Sequence, residues 1–198
     1  MRSMVTVTNG IDLPLYLGEQ AMTEFDLNTL AGLPTEFVKI ARAMLLNIKH
    51  CGGKAFFTIH GKKLMKGETL RRGGAHTDGN YEPHQMTFGG GGWKVGQDGP
   101  SINTQLHARQ YNTIKGGILL ASNYESCLGW VGDYKGLPET GGDCSHIELD
   151  KPFMLEKNKV YCGNNHFIHE SLPLSGDVHR VMVRITMPEH YEYKQHQI

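Results

Sequence analysis

The sequence predicts a mainly β fold with one flanking helix, and a double-stranded β-helix (a jelly-roll, cupin-like) is its leading architecture. Two observations predict it. From Lys54 onward, short runs rich in β-branched and aromatic residues alternate with turn residues, and almost no helical period follows residue 50. Before that point, a single segment has a strong helical period. The β-prone runs are AFFTIH, GGILLAS, SHIEL, KVYCG, HFIHESL and VHRVMVRIT.

The helical period lies in the segment TEFVKIARAMLLNIKHCGG, which begins at Thr35. Pro34 and Thr35 are typical of a helix start, and Gly52 and Gly53 of a stop. Apolar residues at three- and four-residue spacing form one face, which we expect to pack as a brace on the outside of a sheet. These residues are Phe37, Ile40, Ala41, Met44, Leu45 and Ile48.

Length and composition predict a single domain. A chain of 198 residues can bury a core without disulfide or metal staples. We expect an N-terminal helical brace over residues 1–53 and a catalytic β core over residues 54–188. Acidic and basic residues balance at 20 each, so no overall field draws the chain to nucleic acid or to a membrane surface.

The cysteines and the N-terminal residues predict the cellular environment. Cys51, Cys127, Cys144 and Cys162 form no C-x-x-C pair, so neither a zinc knuckle nor a thioredoxin-type motif is expected, and the thiols should be reduced and mostly buried. The first residues lack an apolar stretch of the signal-peptide type, and no segment reaches the roughly 18 apolar residues of a membrane span. We therefore expect a cytoplasmic protein.

The segment FGGGGWKVGQDGPS, residues 88–101, is too rich in glycine to hold a packed strand. Glycine contributes no side-chain contacts and loses much entropy on ordering. We expect a mobile loop that acts as a lid over a site at His76 and Asp78, which lie shortly before it in the chain. A phosphate-cradling loop is the alternative, but no Walker lysine-serine pair supports it.

His76 and Asp78, in GGAHTDGN, are the first candidate metal ligands. In an extended strand, residues i and i+2 project from the same face, so both side chains would approach one metal. A His-x-Asp pair alone is a weak signal. His169, in NHFIHES, supplies a second imidazole, and two imidazoles with one carboxylate are the protein ligands of a non-haem iron site with open facial positions.

Arg180 and Arg184 follow this histidine in DVHRVMVRIT. If the turn LSGD joins the two runs through a two-residue loop, His169 lies opposite Met182, and both arginines share that face. An odd-length loop would put them on the opposite face. A buried arginine needs an anionic partner, so arginines beside a metal site predict a bound dicarboxylate, whereas outward-facing arginines would pair with solvent or glutamates.

Other histidines compete for the third ligand position. His166 has the opposite strand parity to His169, His84 lies in a loop, and His107 and His146 lie in β-prone runs. We expect His169 to be the ligand.

The order His76-x-Asp78, His169 and then Arg180 or Arg184 resembles the iron(II)- and 2-oxoglutarate-dependent dioxygenases, and the resemblance covers about residues 55–188. The resemblance implies a jelly-roll whose open mouth holds iron(II) through His76, Asp78 and His169. It also implies that 2-oxoglutarate chelates the metal, while its far carboxylate pairs with an arginine on the strand after the distal histidine.

The resemblance leaves open which arginine takes that role. Arg180 is preferred, with Arg184 as a second contact or as the partner itself, because either guanidinium can bind a carboxylate bidentately. Members of the family often have a serine or threonine two residues after the arginine. Thr186 follows Arg184 in this way, whereas Met182 follows Arg180.

The implied reaction is oxidative decarboxylation of 2-oxoglutarate by dioxygen to succinate and carbon dioxide, coupled to hydroxylation of an unactivated C–H bond. Desaturation and ring closure use related chemistry. Asp78 argues against halogenation, for which the family replaces that carboxylate by a small residue.

Two other classes stay open. One is a metal-dependent cupin-type enzyme, such as a hydrolase or isomerase, that works without 2-oxoglutarate. The other is a non-enzymatic ligand-binding jelly-roll. An interior arginine that binds 2-oxoglutarate would argue against the cupin-type enzyme. An open metal position that faces a pocket would argue against the non-enzymatic jelly-roll.

The substrate is expected to be a small molecule or a peptide. A nucleobase stays open, although charge does not support it, and no membrane partner is expected. The candidate pocket residues are Tyr81, Trp93, Gln105, His107, Tyr124 and Trp130.

Overall fold

The computed structural model of the protein describes residues 1–50, 52–78, 117–139, 142–164, 166–187 and 191–192. Within these ranges the chain forms one helix and thirteen strands. The elements are β1 (Arg2–Ser3), β2 (Val5–Gly10), β3 (Gly18–Asp26), α1 (Thr35–Leu45), β4 (Lys49–His50), β5 (Lys54–Leu64), β6 (Gly117–Ser122), β7 (Cys127–Trp130), β8 (Gly132–Asp133), β9 (Phe153–Met154), β10 (Lys159–Gly163), β11 (Ile168–Ser171), β12 (Val178–Met187) and β13 (Tyr191–Glu192).

Several sequence predictions fall outside the described ranges. They are the glycine-rich lid at residues 88–101, Cys51, the competing ligands His84 and His107, and the pocket candidates Tyr81, Trp93 and Gln105.

The described strands form four antiparallel sheets, two of which build the body of the protein. The large sheet has the strand order β2-β10-β6-β12-β5-β3, and the small sheet has the order β11-β7-β9. β12 lies between β5 and β6 in the middle of the large sheet. The prediction of a mainly β protein is confirmed, and the sheets of the described ranges do not close into a barrel.

Side chains at alternate positions of β12 enter two different cores, as the two-residue period of a strand requires. Val183 and Ile185 face α1 and pack into one core with Phe37. Met182 faces the other way and packs with Phe167 into a second core, which also contains β7 side chains of the small sheet. The large sheet therefore carries the helix on one face and the small sheet on the other.

The helix prediction is confirmed, because α1 buries an apolar face against the large sheet. Phe37 stacks on Phe57 of β5 with ring centroids 5.3 Å apart. The helix ends at Leu45, well before the predicted glycine stop, and Ile48 is buried in the same core from the segment after it. The helix is thus the brace that its apolar period predicted.

Two local predictions need correction. The predicted strand SHIEL, residues 145–149, forms a turn in which the Ile147 amide donates to the Cys144 carbonyl at 3.0 Å. The predicted N-terminal brace also contributes strands, since β2 and β3 form the two edges of the large sheet. Both are edge strands with many polar residues, so their sequences lack the apolar pattern by which a buried strand is predicted.

The predicted hairpin between β11 and β12 is wrong. β11 pairs with β7, where His169 lies opposite Gly129. β12 pairs with β5 and β6, where Met182 lies opposite His60 and Ser122. The two strands therefore belong to different sheets that face each other.

The helix α1, which is the one helix of the described ranges, is not long and apolar enough to cross a membrane.

Ile59→Val is expected to lower the free energy of unfolding by about 1 kcal/mol, because the lost methyl group leaves a small cavity in the core under α1. Ile59 has no exposed surface, whereas Leu15 is 83 % exposed. Leu15→Val should therefore change stability by less than about 0.5 kcal/mol. Urea unfolding of both variants measures these changes. Equal losses of unfolding free energy would contradict the placement of Ile59 in this core.

Candidate metal centre

His76 and His169 are held together by their own backbones. The His76 amide donates to the His169 carbonyl at 3.0 Å, and the His169 amide donates to the His76 carbonyl at 2.9 Å. Residues that exchange both bonds lie directly opposite each other and project to the same face. Their ring centroids lie 4.7 Å apart. The segment around His76 thus extends the small sheet beyond β11.

Gly142 fixes the other side of the ligand segment. Its carbonyl accepts the Thr77 amide at 2.9 Å. Gly142 has a φ of 84°, and a Cβ at this position would lie 2.1 Å from the Thr77 carbonyl oxygen. Only glycine permits this conformation and this approach without strain. The residue between His76 and Asp78 is therefore anchored, and both ligands keep a defined direction.

Both histidines present Nε2 to the centre of the site. His76 Nδ1 lies 2.7 Å from the Gly74 carbonyl oxygen, and His169 Nδ1 lies 3.1 Å from the Phe167 carbonyl oxygen. A carbonyl can only accept, so Nδ1 carries the proton of each neutral ring, and Nε2 keeps its lone pair. Burial, and then the nearby His169, lowers the pKa of His76 to about 4. His76 is therefore neutral at neutral pH, the form that binds metals.

Asp78 has one engaged and one unengaged oxygen. Its Oδ2 accepts a hydrogen bond from Arg184 Nη1 at 2.5 Å and lies 3.3 Å from His169 Nε2. Its Oδ1 is buried and has no hydrogen-bond partner among the described residues. Burial opposes ionisation, but the interactions of the carboxylate, led by that with the Arg184 guanidinium, outweigh it and hold the pKa of the carboxyl well below its ordinary value. Asp78 is thus a buried carboxylate with an unsatisfied acceptor.

These three side chains fit a divalent metal. One potential ligand atom from each of His76, Asp78 and His169 lies within 4.8 Å of the others, and all three residues are buried. A cation would satisfy Asp78 Oδ1, which is buried and finds no partner in the part of the chain that the structure describes. Two imidazoles and one carboxylate are the donor set of a non-haem iron(II) site with open positions.

The competing histidines in the described ranges lie apart from this group. His146 Nε2 lies 3.1 Å from the Leu137 carbonyl oxygen, and the ring is partly exposed. His166 is buried but does not belong to the three-residue group. The predicted separation holds, but strand parity is not its cause, because His166 lies in the turn before β11.

The three candidate ligands border a cavity between the two sheets. Together with the open solvent at its mouth, it has a volume of about 410 Å³. The large sheet contributes Leu120, Arg180 and Met182, and the small sheet contributes Cys127, His169 and Ser171. The remaining lining residues are Arg71, His76 and Asp78.

Arg180 is a buried cation in this cavity, with only 2 % of its surface exposed. Its Nη1 donates to Ser171 Oγ at 2.8 Å and its Nε to Ser122 Oγ at 3.4 Å. Burial lowers the pKa of this guanidinium, and no carboxylate of the described ranges contacts it. Two hydroxyl groups orient Arg180, but within the described ranges nothing compensates its charge.

Arg184 has a different environment, although it lies on the same face of β12. Its Nη1 binds Asp78, and its Nη2 donates to Met22 Sδ at 3.7 Å. Met22 lies in a bulge of β3 and has a φ of 51°. Arg184 is thus a partner of the candidate metal ligand, whereas Arg180 faces the cavity.

The sequence predicted the candidate metal ligands better than it predicted the residues that line the cavity. Trp130 donates from Nε1 to the Asp150 carbonyl at 3.0 Å and packs with Tyr134 in a separate core. Tyr124 lies 3.3 Å from Ser175 through its hydroxyl and also does not line the cavity. Arg71, Cys127 and Ser171 were not anticipated. Ser171 could have been found by parity, since it lies two residues after His169 on β11.

Comparisons of the chain with family models, curated proteins and solved structures return no match. The function of the chain must therefore be inferred from the geometry of this site.

Arg184→Gln is expected to weaken divalent metal binding about 10- to 100-fold, because Asp78 loses the hydrogen bond that orients it. Calorimetric titration with manganese(II) measures the effect. Arg42→Gln removes a charge from α1, on the other side of the large sheet, and is the control. If both variants bound manganese(II) like the unmodified protein, Arg184 would have no role in orienting Asp78.

Proposed function

We propose that this protein is an iron(II)- and 2-oxoglutarate-dependent dioxygenase that hydroxylates an unactivated C–H bond. The observation that carries the proposal is the content of one cavity. It contains His76, Asp78 and His169 together with Arg180, a buried guanidinium that no carboxylate of the described ranges contacts.

His76, Asp78 and His169 would hold the metal. Iron(II) at this position would supply the redox chemistry by which 2-oxoglutarate, dioxygen and a C–H bond become succinate, carbon dioxide and a C–OH group. The two backbone hydrogen bonds between the histidines hold the imidazoles side by side. Arg184 engages Asp78 Oδ2 and leaves Oδ1 available to the metal.

Arg180 would bind the far carboxylate of 2-oxoglutarate. A guanidinium fork and a carboxylate form two parallel charge-assisted hydrogen bonds, which are stronger when buried. Ser122 and Ser171 hold the fork in position. The dicarboxylate would thus neutralise a cation whose burial is otherwise unfavourable.

The architecture supports a jelly-roll core. Two antiparallel sheets face each other across a shared core, and the candidate site lies between them. Metal sites of jelly-roll enzymes occupy such a position, enclosed by strands and open at one end.

Arg180 also favours this proposal over a cupin-type enzyme without 2-oxoglutarate. Metal-activated water or a polarised carbonyl needs the three ligands but no buried guanidinium. A hydrolase or isomerase at this site would bind metal without any response to 2-oxoglutarate. A non-enzymatic module would need neither an open metal position nor the arginine.

A succinate-release screen tests the proposal. The iron(II)-loaded protein is incubated with 2-oxoglutarate, dioxygen and a panel of amino acids, nucleosides and peptides. We expect one class to stimulate succinate release and to gain the mass of one oxygen atom. Arg180→Leu should lose both signals. Turnover of a panel member without any consumption of 2-oxoglutarate would contradict the proposal.

A further inference from the structure

A methionine in an unusual backbone conformation lies beside the candidate metal centre. Met22 has a φ of 51°, in the left-handed region that residues with a side chain rarely adopt. Such a conformation costs energy, persists only where surrounding contacts hold it, and occurs often at functional sites. The contacts around Met22 therefore indicate what its conformation serves.

The conformation belongs to the bulge in β3. The register of β3 against β5 shifts between Gln20 and Thr23, so that Thr58 of β5 lies opposite two residues of β3, one of which is Met22. Thr58 is also paired with Arg184 of β12. A bulge redirects a side chain of its strand. Here it brings the Met22 side chain to the face of the large sheet that carries Arg184.

The Met22 thioether lies between two hydrogen-bond donors. Arg184 Nη2 donates to Met22 Sδ at 3.7 Å, and Thr58 Oγ1 donates to it at 3.6 Å. The Met22 amide donates to Thr58 Oγ1 at 3.1 Å, so one hydroxyl holds both the backbone and the side chain of Met22. A thioether is a weak acceptor, but Arg184 and Thr58 are buried, and little water competes for these donors.

These contacts hold Arg184 by both terminal nitrogens of its guanidinium. Nη1 donates to Asp78 Oδ2 and Nη2 donates to Met22 Sδ, whereas Nε is buried and has no hydrogen-bond partner among the described residues. The guanidinium is planar and rigid, so the position of one nitrogen sets the direction of the other. Without the sulfur, the guanidinium could turn about its hydrogen bond to Asp78.

We infer that Met22 is a positioning residue of the metal centre, whose thioether holds the Arg184 guanidinium so that Arg184 directs the Asp78 carboxylate at the metal. Outer partners of a metal ligand act in this way, because they reduce the number of orientations that the ligand adopts. The left-handed conformation of Met22 is the means by which an edge strand reaches Arg184. The inference rests on the metal site of the proposed function, but not on 2-oxoglutarate or on the reaction.

Met22→Leu tests the inference, because it removes the acceptor and keeps a side chain of similar volume. Calorimetric titration should give a manganese(II) dissociation constant about three- to tenfold higher, a smaller loss than removal of a direct partner of a metal ligand causes. Met44→Leu makes the same change under α1, on the other side of the large sheet, and should bind manganese(II) like the unmodified protein. Unchanged affinity in Met22→Leu would overturn the inference.

A double-mutant cycle separates positioning through Arg184 from a general effect on packing. When Met22→Leu is added to Arg184→Gln, the affinity for manganese(II) should fall by less than about twofold further, because the guanidinium through which Met22 acts is absent. Independent, additive losses would show that Met22 does not act through Arg184 and would overturn the inference. Thr58→Val removes the hydroxyl that holds Met22 and gives the same cycle if Met22→Leu does not fold.

Failure of the proposed function is distinguishable from failure of this inference. If manganese(II) binds but 2-oxoglutarate does not, the dioxygenase proposal fails, and the cycle still measures the role of Met22. If both bind and the cycle is additive, the dioxygenase proposal stands and the role of Met22 is refuted. Absence of metal binding by the unmodified protein would overturn both.

Discussion

His169→Ala is expected to lower the affinity for iron(II) or manganese(II) about a thousandfold. Outer partners of metal ligands contribute about 10- to 100-fold, and the loss of one of three protein ligands should exceed that. The remaining pair, His76 and Asp78, would bind a metal from one side only. The variant should also lose all succinate formation.

Thermal unfolding with and without manganese(II) measures this loss. A metal at one hundred times its dissociation constant stabilises the folded protein by about 2.7 kcal/mol, which raises the melting temperature by about 5–10 °C. His169→Ala should show no such increase, and the control His146→Ala, which changes a partly exposed histidine outside the group, should keep it. An equal increase in His169→Ala would exclude His169 as a ligand.

Arg180→Leu is expected to weaken 2-oxoglutarate binding about a hundredfold or more while leaving metal affinity unchanged. The far carboxylate would lose its cation and stay in a largely apolar cavity, and truncation of one partner of such a pair costs about 2–5 kcal/mol. The variant should fold, because it replaces a buried charge, which no carboxylate of the described ranges contacts, by an apolar side chain of similar volume.

Titration of the manganese(II)-loaded variants with 2-oxoglutarate separates the two arginines. Arg180→Leu should bind the metal normally and 2-oxoglutarate poorly. Arg184→Gln should lose mainly metal affinity, because Arg184 contacts Asp78. Parallel loss of both ligands in both variants would mean that the arginines are structural.

Strand parity predicted the core of the site from sequence. The two-residue spacing of His76 and Asp78 and the four-residue spacing of Arg180 and Arg184 each place side chains on one face, and the structure brings all four to the same region. This part of the prediction needs only local backbone geometry, so it did not depend on knowing the sheet.

Strand pairing could not be predicted in the same way. The short turn between β11 and β12 suggested a hairpin, yet the two strands lie in different sheets and face each other across the cavity. β12 is buried on both faces, from Arg180 to Met187, as expected for a central strand with neighbours on both sides. Pairing is decided by burial over the whole chain, which a local turn does not encode.

The different roles of the two arginines also required the structure. Arg180 and Arg184 lie four residues apart, which is two periods of the strand, and look alike in sequence. Their environments differ because Asp78 and Met22 approach one, whereas Ser122 and Ser171 approach the other. These contacts come from distant segments, and one of them depends on the bulge in β3.

The most direct test of the central claim is an absorption spectrum recorded without oxygen. The protein is loaded with iron(II) and titrated with 2-oxoglutarate. We predict a visible charge-transfer band that saturates at one equivalent, is lost in His169→Ala and needs much more 2-oxoglutarate in Arg180→Leu. Bound iron(II) with no spectral or affinity response to 2-oxoglutarate would contradict the dioxygenase assignment.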